Sequence, residues 1–140
     1  MDFLVLYPRG KNLFIEIVCD SYIKYQPRTE SELDQKATEL IPVIQELKEY
    51  CIKNSLAQIV IINFEKAIYF EKINFILTAK LVKKLSETFP DTPLKRIEFH
   101  HVSPVIKTIY DTVKGILPKN IKDVIIISDG GIFGNGNGAS

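Results

Sequence analysis

The sequence predicts an α/β fold: a five-stranded mixed sheet that opens with an N-terminal β-hairpin, continues through three strand–helix crossovers and carries helices on the sheet faces. Three observations predict it. Two short β-branched and aromatic runs flank turn chemistry near the N-terminus. Three amphipathic helical stripes then alternate with apolar runs of strand length. The chain has 140 residues, 46% hydrophobic and 25% charged, the balance of one compact domain that buries its own core. Residues 1–129 read as that domain. Residues 130–140 hold five of the seven glycines and read as a flexible tail.

In the hairpin, Phe3 to Tyr7 and Leu13 to Cys19 are joined by Pro8-Arg9-Gly10-Lys11-Asn12, where Gly10 supplies a positive φ. A loop is expected from Asp20 to Arg28. Thr29 and Glu32 then make a capping box for a helix whose stripe is Leu33, Ala37, Leu40, Ile41, Ile44, Leu47 and Cys51. Pro42 inside that helix predicts a bend rather than a break. Ala57 to Asn63, with Ile59-Val60-Ile61-Ile62 at its centre, reads as a central strand covered on both faces. A second helix from Lys72 to Thr88 buries Ile73, Ile76, Leu77, Leu81 and Leu85 and ends before Pro90 and Pro93. Leu94 to Val102 is the next strand. Ser103-Pro104 opens the third helix with a capping hydroxyl and a proline at its first position, and Gly115 and Pro118 close it. Val124 to Ser128 is the last strand.

Composition excludes several classes of function. Eighteen basic against seventeen acidic residues leave a net charge of +1, so no global field attracts nucleic acid. The longest apolar segments fall far short of the ~18 residues a membrane span needs. The N-terminus has an acid where a secretion signal needs a base, which predicts a cytoplasmic chain. Cys19 and Cys51 lie outside any CxxC or Cys/His cluster and read as reduced core thiols. His100 and His101, adjacent in a strand, point to opposite faces and cannot hold one metal together. The glycines after Asp129 precede no helix, so they read as a linker rather than a phosphate cradle. No nucleophile, base and orienting acid assemble from the sequence, and no catalytic residue, metal or cofactor is expected.

The second half of the chain is similar to the CRAL-TRIO lipid-binding domain family. The resemblance rests on the strand Ile59 to Asn63, the helix closing in Glu87-Thr88-Phe89-Pro90 and the run Leu94 to Pro104. The turn Gly115-Ile116-Leu117-Pro118 before the strand Val124 to Ile127 completes it. It implies the SpoIIAA-like architecture, a non-catalytic lipid-binding role and a gate helix at Ser103 to Leu117. STAS regulatory domains share that architecture, and Val102-Ser103-Pro104-Val105-Ile106 resembles one of their segments. Their phosphorylatable hydroxyl is replaced here by Phe70-Glu71-Lys72-Ile73-Asn74, so a STAS-like protein would act by protein–protein contact alone.

Three groups of residues are candidates for the site. On the gate helix, Ile106, Ile109, Tyr110 and Val113 either line a pocket for a lipid or apolar small molecule, or simply pack on the sheet. Tyr69, Phe70 and Phe75 lie beyond the carboxyl end of a central strand, where they either meet an apolar ligand or protein partner, or staple the helix start. Lys80, Lys83 and Lys84 form a basic face that either contacts a lipid headgroup or acidic partner at a membrane surface, or is merely solvated.

Overall fold

The computed structural model describes residues 1–128; the expected tail at 130–140 lies outside them. Leu4–Arg9 (β1) and Asn12–Ile17 (β2) pair antiparallel around Gly10, whose φ of 61° is the left-handed conformation that glycine adopts without strain. Tyr7 stands opposite Phe14 and their rings stack at 5.3 Å. The strand stops two residues before Cys19 because Cys19 turns inward to begin a helix.

That helix, Cys19–Tyr25 (α1), replaces the expected loop from Asp20 to Arg28. Its sequence signal is the i, i+3 spacing of Cys19 and Tyr22, both buried. Phe3 anchors it, with its ring 5.4 Å from Tyr22 and 4.9 Å from Tyr25. Glu30–Lys53 (α2) follows, capped by the Thr29 hydroxyl, which accepts from the Glu32 amide at 3.2 Å. Glu32 completes the box one residue early, its carboxylate accepting from the Arg28 amide at 3.0 Å. The helix runs unbroken across Pro42.

Ala57–Asn63 (β3) leads to Phe75–Thr88 (α3). This helix begins three residues later than expected because Asn74 caps it, accepting from the Leu77 amide at 3.0 Å. Leu94–His100 (β4) ends at His101, whose φ of 58° turns the chain into Pro104–Val113 (α4). Ser103 caps α4 with Pro104 at its first turn, as expected. A 3-10 turn, Lys114–Ile116, and the short helix Lys119–Lys122 (α5) lead into Ile125–Ile127 (β5).

The sheet order is β1-β2-β3-β4-β5, identical to chain order, with every neighbour after the hairpin parallel. Right-handed crossovers that always step in the same direction put their helices on the same side. Register then sorts the side chains. Ile15, Val60, Ile97 and Ile125 share the helix side; Glu16, Ile61, Glu98 and Ile126 share the other.

Helices therefore cover β3 on one face only; on the other the expected covering is met at Ile59 alone, by side chains of the neighbouring strands. Only Gln58 and Ile59 of that strand are buried; Val60, Ile61 and Ile62 are half-buried. Both Ile59 and Ile61 face the side without helices; there Ile59 is fully enclosed between its register neighbours Phe14 and Arg96, whereas Ile61, between Glu16 and Glu98, is half-buried. Ile59→Asp should thus cost roughly 3 kcal/mol or more, an unpaired charge in a closed site, while Ile61→Asp should cost under about 1.5 because its carboxylate reaches water. Urea unfolding of the two variants checks this, and equal losses would contradict the enclosure of Ile59 beneath Phe14 and Arg96.

Candidate functional site: an apolar cavity between sheet and helices

The buried side chains do not close into one core. They form three clusters: one around Phe3, Tyr22, Leu40 and Leu81, one around Ala79, Val113, Leu117 and Ile121, and one of Leu13, Ile15 and Cys51. Between the clusters, sheet and helices bound a cavity of ≈ 520 Å³. Its floor is the helix side of the sheet, with Ile15, Val60, Ile62, Ile97, Phe99 and Ile125. Its walls are Leu40, Val43, Ile44 and Leu47 of α2, Phe75, Ala79 and Val82 of α3, and Ile106, Ile109, Tyr110 and Val113 of α4. The alternation of β2 to β5 turns every second side chain toward this space, and the stripes of the helices face it from above.

Polar groups are few and placed at separate points. The Gln58 amide lies against Cys51 and accepts from the Thr92 hydroxyl at 3.1 Å. The Tyr22 and Thr78 hydroxyls, both on the lining, are 2.8 Å apart. Burial raises the Tyr22 pKa, with Thr78 pulling the other way. Burial, with Asp20 and Glu16 adding repulsion, pushes the Cys19 thiol up to about 11, so this lining thiol stays protonated. The Tyr110 ring meets Phe99 edge-on at 5.6 Å, and Phe99 meets Phe64 likewise at 5.8 Å. All three rings line the cavity.

The structure brings together five of the expected ligand-side residues. Ile106, Ile109, Tyr110, Val113 and Phe75 all line the cavity. Phe70 instead packs against the cluster around Phe3, and Tyr69 is exposed with the Lys72 ammonium 4.9 Å from its ring. The three lysines all meet carboxylates of this chain: Lys80 with Glu30 and Lys84 with Asp34, each at 2.5 Å, and Lys83 with Glu87 at 3.4 Å. A headgroup or acidic partner would have to displace them. Sequence reasoning missed Tyr22, Thr78 and Gln58. Tyr22 sits in the segment read as loop, and a single polar residue inside an apolar stripe carries no periodic signal.

The two histidines have separate partners. On the side without helices, Glu98 accepts from Arg96 Nε at 2.7 Å and from His100 Nε2 at 2.8 Å, whereas His101 stands 3.8 Å from Glu65. Among the described residues no three metal-ligating side chains cluster, and no helix is long and apolar enough to cross a membrane.

No family model and no curated protein matches the sequence. Among solved structures, the crystal structure of Sfh5 matches with a TM-score of 0.61 at 11% identity, over 91% of this chain and 47% of that one. The fold is CRAL-TRIO-like. At that identity the likeness is one of fold alone, and the chain spans about half the length of the structure it matches.

The Glu98 carboxyl gives a pH prediction. Burial acts to raise its pKa, but hydrogen bonds from His100 and Arg96 outweigh it and hold the group below its ordinary value. Such a carboxylate adds stability that is fully present above the unfolded pKa of about 4.3 and is lost as pH falls through the lower folded value. Glu98→Gln should therefore flatten the acid limb of the stability–pH curve measured by urea unfolding. An unchanged limb would show that the triad does not form in solution.

Proposed function

We propose that the chain is a non-catalytic binding module that holds a lipid or other apolar molecule between its sheet and its helices. The cavity carries this reading. Its lining is apolar over most of its area, and a space of ≈ 520 Å³ left without an occupant would keep those side chains against water. Water fills such a space poorly, because an apolar lining offers it few partners. An apolar molecule satisfies the same side chains by dispersion and by leaving water itself.

The resemblance to lipid-binding domains over the second half of the sequence and the CRAL-TRIO-like fold support the same reading. Burial keeps the Cys19 thiol on the lining protonated, so it offers a small apolar surface there rather than a thiolate nucleophile. The α4 helix is the wall the resemblance assigns to a gate. Its cap at Ser103 and the Gly115 that follows its last turn let it shift as one unit, and Val113 is the wall residue nearest that end.

Native mass spectrometry of protein expressed in a lipid-containing host tests the proposal. The wild type should carry an apolar molecule released by organic solvent. Val113→Phe, which fills part of the cavity, should lower the occupied fraction at least threefold while changing stability by no more than the ~1–3 kcal/mol of ordinary overpacking. A wild-type protein that stays ligand-free and takes up no long-chain probe afterwards would overturn the reading.

A further inference from the structure

The side of the sheet without helices stays open among the described residues. One row across it, from β1 to β5, reads Val5, Glu16, Ile61, Glu98 and Ile126. Val5 and Ile126 are exposed, and Ile61 at the centre is half-buried. The row beside it, Tyr7, Phe14, Ile59 and Arg96, adds two stacked rings. Apolar side chains on a sheet face that lacks its own helices mark a surface for a further layer.

The charges on this face select the partner. Glu98 is held by Arg96 and His100, whereas Glu16 is half-buried and meets no cation among the described residues. Arg96 spends only its Nε on Glu98, at 2.7 Å, and the two terminal amino groups of its guanidinium have no acceptor among the described residues. An unspent carboxylate and an unspent fork of donors thus lie on one face. Within one chain they do not meet, because β3 stands between them and separates them by about 10 Å across the strands and about 7 Å along them. The register puts Glu16 beside Ile61 and Arg96 beside Ile59, so the midpoint between the two charges falls on β3, between those isoleucines. A two-fold axis lying in the face through that midpoint, perpendicular to the line that joins the charges, sets Glu16 of each copy against Arg96 of the other and lays the two faces together. The sheet edges are poorer places to associate: Pro8 removes a donor from β1, and β5 is three residues long.

We propose that two copies of this chain associate through their open sheet faces, in a two-fold stack of helices, sheet, sheet and helices joined by two reciprocal Glu16–Arg96 pairs. Strand spacing and rise give each face an area of roughly 400–500 Å². Two such faces fall below the about 1,200 Å² of a standard interface, so the dimer is weak and reversible, with a Kd on the order of 10–100 μM. It is independent of what the cavity holds, because the cavity lies on the other side of the sheet.

Sedimentation velocity of the wild type from about 5 to about 500 μM should show monomer giving way to dimer. Glu16→Arg sets arginine against arginine and Arg96→Glu sets carboxylate against carboxylate, so each variant alone should self-associate about tenfold more weakly or worse. Mixed in equal amounts the two variants should associate again, because one pair is then native and the other is exchanged. Urea unfolding checks that each variant is folded, and recovery on mixing separates a lost contact from a lost fold. A wild type that stays monomeric throughout, a dimer indifferent to both reversals, or no recovery on mixing would overturn the proposal. A monomeric wild type that co-sediments with phosphatidylcholine–phosphatidylserine vesicles, and ceases to on Ile126→Asp, would also overturn it and assign the face to a bilayer.

Discussion

Right-handed crossovers between strands laid down in sequence order commit every helix of this chain to one side of the sheet. The rest of the structure depends on that constraint. With β2 to β5 added one after another in a single direction, no connection ever crosses to the opposite side. The helix side must be apolar on every strand, and Ile15, Val60, Ile97 and Ile125 meet that need in register. The other side is left to protect itself. It does so with long side chains laid over the strands: Phe14 stacked on Tyr7 with Arg9 above both rings, and the Arg96–Glu98–His100 row.

A single interlayer has to be filled by a small number of helices, and here it is filled incompletely. The short helix α1 and the long α2 close one flank around Phe3, Tyr22 and Leu40, while α4 and α5 close the other around Val113, Leu117 and Ile121. The α3 helix bridges them with Leu81 on one side and Ala79 on the other. Small side chains at such a bridge leave room that larger ones would take. Outside, Lys80–Glu30 and Lys84–Asp34 tie α3 to α2, and Lys48–Asp91 ties α2 to the turn after α3. Exposed pairs of this kind are screened by water, so they set how the helices lie more than they hold them down. The interior stays open while the perimeter is fastened.

The order of strands and the three long helices were legible in the sequence because periods of two and 3.6 residues survive without tertiary information. So were the caps at Thr29 and Ser103, whose hydroxyls act on amides three residues away. What was not legible depended on distant partners. The α1 helix is too short for a periodic stripe to stand out, and it forms because Phe3, sixteen residues before Cys19, supplies the surface it buries against. The start of α3 was misread because Ile73 looks helical by spacing, while Gln26 fixes the Asn74 backbone amide from a different segment at 2.8 Å. Around the cavity, the four lining residues of α4 were legible from their stripe. Tyr22 and Thr78 were not, because they meet across fifty-six positions and only the fold brings them together.

The central claim is that the space between sheet and helices is a ligand site and not a seam that closes in solution. A crystal structure of the protein grown with a long-chain alcohol brominated along its chain tests it most directly, because bromine is located by its own anomalous signal. Bromine peaks between Val60 and Ile97 on the floor and Val113 on the wall are the predicted result. Peaks confined to the outer surface, with the α3 and α4 side chains packed down onto the sheet, would contradict it.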